Sequence, residues 1–228
     1  MASKRQVIFD TETTGFDPYT GDRLIEIGCL AMENMILNGE KLHYYVNPED
    51  KMVGEGAFQV HGLSNEFLAD KPLFSDIAQD LIDFIGESEL VAHNADFDMK
   101  FINWELENAG YKPYPATRFV DTLAIARSKF PGAQNSLDAL CRRFEIDNSH
   151  RTLHGALLDS EILAEVYIEL MGGKQVGLDL SVNKAGGAAA ARVRKERPHR
   201  TFSVPQAELA AHQDFVKKLK DPIWLKGD

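Results

Sequence analysis

Val7-Ile8-Phe9-Asp10-Thr11-Glu12-Thr13-Thr14-Gly15 decides how the rest of this chain is read: an apolar strand runs straight into acid. Alternate residues of a β-strand point to the same side, so Asp10 and Glu12 project together from the mouth of a buried strand. Two carboxylates that close repel each other unless a cation neutralises them. Hard oxygen donors at this spacing suit Mg²⁺ or Mn²⁺, and two such ions bridged by shared carboxylates are a common device for hydrolysing phosphodiesters. Alternating acids also decorate solvated strands, so the outcome turns on what the rest of the chain brings beside them.

Around this strand, 228 residues with 44% hydrophobic content suffice for one substantial core plus an appendage. No run approaches the roughly 18 consecutive apolar residues of a membrane span, and the N-terminus lacks the apolar core of a signal peptide. The expectation is a soluble, cytoplasmic protein with no membrane partner. Cys29 in a strand-like run and Cys141 in a helix-like run read as buried thiols, since no Cys-x-x-Cys is present. A formal charge of −10 argues against a protein that coats long duplexes, because Lys and Arg supply most non-specific affinity for phosphate. It leaves room for an enzyme that reads a few terminal nucleotides through metal ions. The charge is uneven, with +5 on residues 181–204 and −15 on the remainder.

Hydrophobic patterning predicts strands at 6–10, 24–31 and 42–46, the last two separated by a turn region at 34–40 that contains Asn38-Gly39. Together they form an antiparallel three-stranded meander. A short helical segment follows at 63–68, then a helix capped by Ser75 and ended by Gly86. Leu90-Val91-Ala92 reads as a buried strand, Phe97 to Gly110 as a helix, and 118–121 as a further strand. In that helix the spacing of Phe97, Phe101 and Trp104 favours core packing over a base-stacking platform. Helices are expected at 122–129 and 136–144, and the periodic run from His154 to Met171 ends at Gly172-Gly173. The division that follows is a domain at 1–173, a peptide and basic Ala/Gly-rich linker at 174–204, and a helical tail at 205–228. A short helix beyond a linker cannot bury its own apolar face and waits for a partner.

Two further segments carry acid to element ends. In His93-Asn94-Ala95-Asp96-Phe97-Asp98 a strand gives way to a helix, which places Asp98 in the first turn near Asp10 and Glu12, while Asp96 stabilises the positive helix end. In His154-Gly155-Ala156-Leu157-Leu158-Asp159 the five-residue spacing is about 140° of helical rotation. His154 and Asp159 therefore face one cleft only if His154 precedes the helix proper.

These three segments, in this order, resemble the three motifs of the DEDDh (DnaQ-like) 3′→5′ exonuclease family, and the resemblance spans residues 6 to about 172. It implies an α/β, RNase H-like fold: a mixed central sheet with flanking helices, here followed by a C-terminal linker and helix. It also implies that Asp10, Glu12, Asp98 and Asp159 hold two divalent ions, Mg²⁺ or Mn²⁺, with His154 as general base. One ion would acidify the attacking water and the other would stabilise the departing 3′-oxygen, about 3.5–4 Å away. The product would be a nucleoside 5′-monophosphate. The tyrosine variant of the family would need a tyrosine where Gly155 stands. By the same resemblance Thr13, Thr14 and Gly15 lie against the terminal nucleotide and His61 flanks the pocket, a reading only slightly favoured over a structural role for His61. His43, His150, His199 and His212 read as surface or packing residues.

The tail separates the branches of the family. Gln175, Leu178 and Leu180 resemble the Gln-x-x-Leu-x-Leu peptides that bacterial proteins insert into the sliding clamp. The stretch from Gln206 to Leu225, with Leu209, Phe215 and Trp224 as apolar anchors, is similar to the polymerase-binding tail of the proofreading branch. That resemblance implies docking to the alpha subunit of bacterial DNA polymerase III and a role in removing mispaired DNA 3′ ends. Two other readings stay open: a free-standing RNA 3′-exonuclease, to which the tail is of no evident use, and a catalytically silent binding module on the same fold.

Overall fold

The computed structural model describes residues 4–173 and 204–220, which fall into two compact units, Met1–Gly177 and Leu178–Asp228. In the first unit β1 (Arg5–Thr13), β2 (Leu24–Glu33), β3 (Ile36–Tyr45), β4 (Glu89–Ala92) and β5 (Phe119–Asp121) form one sheet in the order β3-β2-β1-β4-β5. The β1-β2-β3 meander is antiparallel, and β4 and β5 add parallel to it. The meander is as the patterning predicted, and the mixed sheet is as the resemblance implied. The expectation of a turn across 34–40 is corrected. The reversal is made by Asn34 and Met35 alone, both at positive φ (50° and 65°), and β3 starts at Ile36. Asn38-Gly39 instead makes a bulge within β3, where the register jumps from Leu37 opposite Met32 to Lys41 opposite Leu30.

Helices cover both faces of the sheet, and strand alternation decides which residues each face receives. Val7 and Phe9 point to α3 (Phe74–Ile85) and α4 (Ala95–Asn108) and share a core with Ile77, Leu81, Ile85 and Ile102. Ile8, one residue out of phase, points the other way and packs with Leu30 and Met32 against Leu163, Ala164 and Tyr167 of α7 (Ala156–Leu170). Helices α5 (Thr122–Lys129) and α6 (Leu137–Phe144) close over the far side of α7 through Ala126, Leu140 and Cys141. Two small helices, α1 (Glu55–His61) and α2 (Asn65–Leu68), follow the meander. Only the second was expected, because the glycines at 54 and 56 interrupt the apolar spacing of α1. For α3, the structure moves the cap from Ser75 to Leu73, whose backbone N–H donates to the Asp76 carboxylate at 3.0 Å. Cys29 and Cys141 are buried free thiols, as expected.

The described part of the second unit is one helix, α8 (Gln206–Val216), on which Leu209 and Phe215 are exposed. Gln175, Leu178, Leu180, Trp224 and the basic linker lie outside the described residues.

Candidate active site

The phase of β1 that sends Ile8 to the α7 side sends Asp10 and Glu12 there as well. Thr11 falls on the α4 side, where its hydroxyl donates to Asp98 Oδ1 at 2.7 Å. The end of β1 is thus sandwiched between two helix starts, and each contributes an acid from its first turn: Asp98 on α4 and Asp159 on α7. Asp98 and Asp159 are each 3% exposed and Glu12 is 8% exposed. The start of α4 is fixed by Asn94 at φ 70° and by Asp121 at the end of β5. The Asp121 carboxylate accepts from the N–H of Asn94 and of Leu123, each at 3.0 Å, so one acid caps the starts of both α4 and α5.

What brings Asp159 over β1 is a glycine. Gly28 is the cross-strand neighbour of Asp10, and a Cβ on it would lie 2.3 Å from the backbone nitrogen of Leu157. Only a residue without a side chain lets α7 settle this low on β2. Ser160 secures the contact by donating to the Gly28 carbonyl at 2.9 Å.

His154 precedes α7, as the sharing of one cleft with Asp159 requires, and its backbone N–H donates to the Val60 carbonyl of α1 at 3.0 Å. Its Nδ1 lies 3.2 Å from Asp159 Oδ2. Ligand atoms of Glu12, His154 and Asp159 come within 4.8 Å of one another, and all four acids and His154 line one cleft of about 260 Å³. Two carboxylates and an imidazole nitrogen, with the carboxylates of Asp10 and Asp98 lining the same cleft, are a donor set that suits a hard divalent cation.

Burial lifts Asp10 well above the usual carboxylate range, and the charges of Asp98, Glu12 and Asp159 add to it. Burial, then the charges of Asp159 and Glu26, pushes Glu12 up to about 8. Asp98 rises by burial to about 7, even against the Thr11 hydrogen bond that favours its ionised form. Asp159 goes the other way: burial alone would raise it, but His154 and the Arg151 guanidinium hold it below the ordinary value. Arg151 donates from Nε and one terminal nitrogen to the two Asp159 oxygens at 2.5 Å each, and from the other to Asp138 at 2.8 Å.

The remaining predicted contacts, Thr13, Thr14, Gly15 and His61, are not among the residues that line this cleft. The Thr13 hydroxyl donates to the Gly15 carbonyl at 2.6 Å, and the Thr14 hydroxyl accepts from the Arg23 N–H at 2.9 Å. The space a side chain would need at Gly15 is filled by the Asp22 carboxylate. His61 is buried at the end of α1; its Nδ1 accepts from Leu63 N–H at 3.0 Å, and its Nε2 has no hydrogen-bond partner among the described residues. Phe101 is core as expected, but Phe97 departs from that expectation. One turn earlier than Phe101, at the exposed start of α4, it is half-buried and lines the cleft. Arg151, Asp138 and Gly28 were invisible to motif spacing: two are single polar residues in a loop and a helix start, and the third is one glycine inside an apolar strand.

Residues 7–167 match the RNase T exonuclease family. The chain is 46% identical to the DNA polymerase III subunit epsilon of Rickettsia conorii over 96% of its own length and 98% of that protein's. It is 43% identical to the subunit epsilon of Escherichia coli K12, with 95% of each chain covered. Among solved structures it resembles exonuclease X in complex with 5′-overhanging duplex DNA, at 27% identity and a TM-score of 0.57, covering 73% of this chain and 90% of that one. The fold is RNase H-like, and the divalent-metal dependence of the family fits the donor set in the cleft. The chain belongs to the RNase T exonuclease family and, within it, to the DNA polymerase III epsilon subunits, which makes it a 3′→5′ exonuclease of the proofreading kind.

Proposed function

We propose that this chain removes mispaired nucleotides from DNA 3′ ends as 5′-monophosphates, with Asp10, Glu12, Asp98 and Asp159 holding two divalent ions, Mg²⁺ or Mn²⁺, and His154 as general base. The observation that carries this is the convergence of four carboxylates, those of Glu12, Asp98 and Asp159 buried and that of Asp10 half-buried, and one histidine, from three separated segments, on a single cleft. The bound ions would lower the pKa of water and stabilise the leaving 3′-oxygen. His154, on the segment just before α7, is placed to take a proton. In this reading Thr13, Thr14 and Gly15 support the terminal nucleotide, with the buried Nε2 of His61, which has no hydrogen-bond partner among the described residues, as a spare donor.

The relatives carry the name of a polymerase III subunit, and this supports association of the chain with that polymerase. In this reading residues 1–173 are the nuclease domain. Gln175, Leu178 and Leu180 engage the sliding clamp across the 174–204 segment, and the 205–228 tail docks on the alpha subunit through Leu209, Phe215 and Trp224. The exposure of Leu209 and Phe215 on α8 supports such docking. Tethering would keep the nuclease at high effective concentration near a frayed primer end.

The test is release of 5′-mononucleotides from 3′-labelled single-stranded DNA and RNA of equal sequence, with Mg²⁺ or EDTA, for the wild type and Asp10→Ala. Metal-dependent release that prefers DNA and vanishes in the variant is expected. A preference for RNA would move the assignment to an RNA-trimming enzyme, and silence on both would favour a binding module.

A further inference from the structure

Arg151 belongs to no motif that led to the site, yet its side chain is only 8% exposed and each of its guanidinium nitrogens has an acceptor. Two nitrogens clamp both oxygens of Asp159. The third holds Asp138 on the first turn of α6, and the terminal nitrogen on Asp159 is also 2.8 Å from His154 Nδ1. A guanidinium can only donate, so Nδ1 of His154 accepts there, and the lone pair with which it would take up a proton is spoken for. The positive charge lies among the same atoms, on His154 and Asp159, that approach Glu12 closely enough to share a metal ion. A divalent ion and a guanidinium at that separation repel strongly inside a partly desolvated cleft.

We infer that Arg151 is a resident counter-cation, which holds Asp159 and His154 in place while the site is unloaded and withdraws from both, pivoting on Asp138, when divalent metal enters. Asp138 suits the pivot: it is half exposed, already bonded to Arg151, and steadied by Asn148 Nδ2 at 3.0 Å. Arg151 is a positioning residue in this scheme. It keeps a buried carboxylate from standing unpaired, and its departure frees the metal ligand and the base nitrogen in the same movement. The inference rests on the proposal that these acids bind metal.

The experiment titrates the full chain with Mn²⁺ alone, without nucleic acid and at low ionic strength, following free Mn²⁺ by electron paramagnetic resonance. Arg151→Gln is expected to bind Mn²⁺ about tenfold more tightly than wild type, because a competing cation is gone, and Arg151→Lys, which keeps the charge, by a smaller factor. Equal or weaker binding by folded Arg151→Gln overturns the inference. Absence of binding by wild type would instead overturn the metal assignment beneath it. Since Arg151→Gln risks unfolding, the unaltered chain supplies a second readout: the Nε–H signal of Arg151 in ¹⁵N NMR, identified by its loss in Arg151→Lys. Mg²⁺ is expected to shift that signal and speed its exchange with water. A signal unmoved at saturating Mg²⁺ overturns the inference as well.

Discussion

Asp10 and Asp159 line the same cleft, yet their surroundings treat their charges in opposite ways. Asp159 comes with its own cation, a bidentate Arg151, and is held below the usual carboxylate range. Asp10, Glu12 and Asp98 crowd at the end of β1, and all three are pushed upward. Arg151 eases Asp10 and Glu12 only from a distance, and Asp98 has only uncharged donors, the Thr11 hydroxyl and the backbone of Thr11 and of Asp98 itself. One half of the cluster is compensated by the fold, and the other is charge the fold leaves for something else to neutralise. The difference teaches where the metal contributes most: at the β1 half, where burying like charges costs stability until a cation arrives.

The sharpest way to break the comparison is to neutralise one acid from each half. Asp10→Asn and Asp159→Asn should each cut turnover on labelled single-stranded DNA at least about a thousandfold, as loss of a metal ligand does. Their stabilities in EDTA should move in opposite directions. Asp10→Asn removes a repelled carboxylate, so its melting temperature should hold or rise. Asp159→Asn strands Arg151 and should lose up to about 3–5 kcal/mol, the usual penalty for orphaning a buried charge. Urea unfolding of both variants in EDTA decides it, and equal shifts would erase the distinction between the halves.

Next in size is the glycine that brings the halves together. Gly28→Ala would drive a methyl into the first turn of α7, so unfolding should show a loss of about 1–3 kcal/mol. Turnover should also fall more than about tenfold, because the shift of Asp159 is a misplacement at the reacting centre. A full-rate variant would show that α7 docks without this contact.

The pH dependence of the metal-free chain follows from the upward shifts. Between the unfolded carboxylate range, near about 4–4.5, and the folded values of about 7 for Asp98 and about 8 for Glu12, the folded state binds more protons than the unfolded one. Stability in EDTA should therefore fall as pH rises from about 4.5 through about 8. Asp159 contributes with the opposite sign: its stabilisation is present above its unfolded value and is lost as the solution becomes more acid. Saturating Mg²⁺ should flatten or reverse the decline, since metal replaces the protons. Melting curves at pH 5, 6, 7 and 8, with EDTA or Mg²⁺, test both signs.

The unbalanced half was legible in the sequence. Asp10 and Glu12 announce themselves by strand alternation, and Asp98 and Asp159 by their place at helix starts, because local periodicity carries that information. The balanced half was not. Arg151 is one cation in a loop, and its partners Asp138, His154 and Asp159 meet it only after α6 and α7 have packed. The role of Gly28 depends on how low α7 sits on β2, which no window of β2 encodes. The fold followed the same rule. Strands with alternating or continuous apolar runs were placed within a few residues except at the start of β3, six residues earlier than expected, where Asn38-Gly39 looked like a turn and became a bulge because Asn34-Met35 had already reversed the chain.

The smallest expected effect probes a neutral partner on the unbalanced side. Thr11 points away from Asp10 and Glu12, is 6% exposed, and gives its hydroxyl to Asp98, favouring the ionised carboxylate. Thr11→Val keeps the shape and removes the donor, so Asp98 should hold its proton to a still higher pH. Metal must displace that proton, so the acid limb of the kcat/KM profile should move to higher pH by less than about one unit, the scale of a single hydrogen bond of about 1–1.5 kcal/mol. At a pH well above the limb, Thr11→Val should recover nearly wild-type turnover, which neither Asp10→Asn nor Gly28→Ala can do. A rate deficit that is constant across the profile would mean that the Thr11 hydroxyl serves only to pack α4 against β1, and that the Asp98 charge is governed by burial and the backbone donors around it.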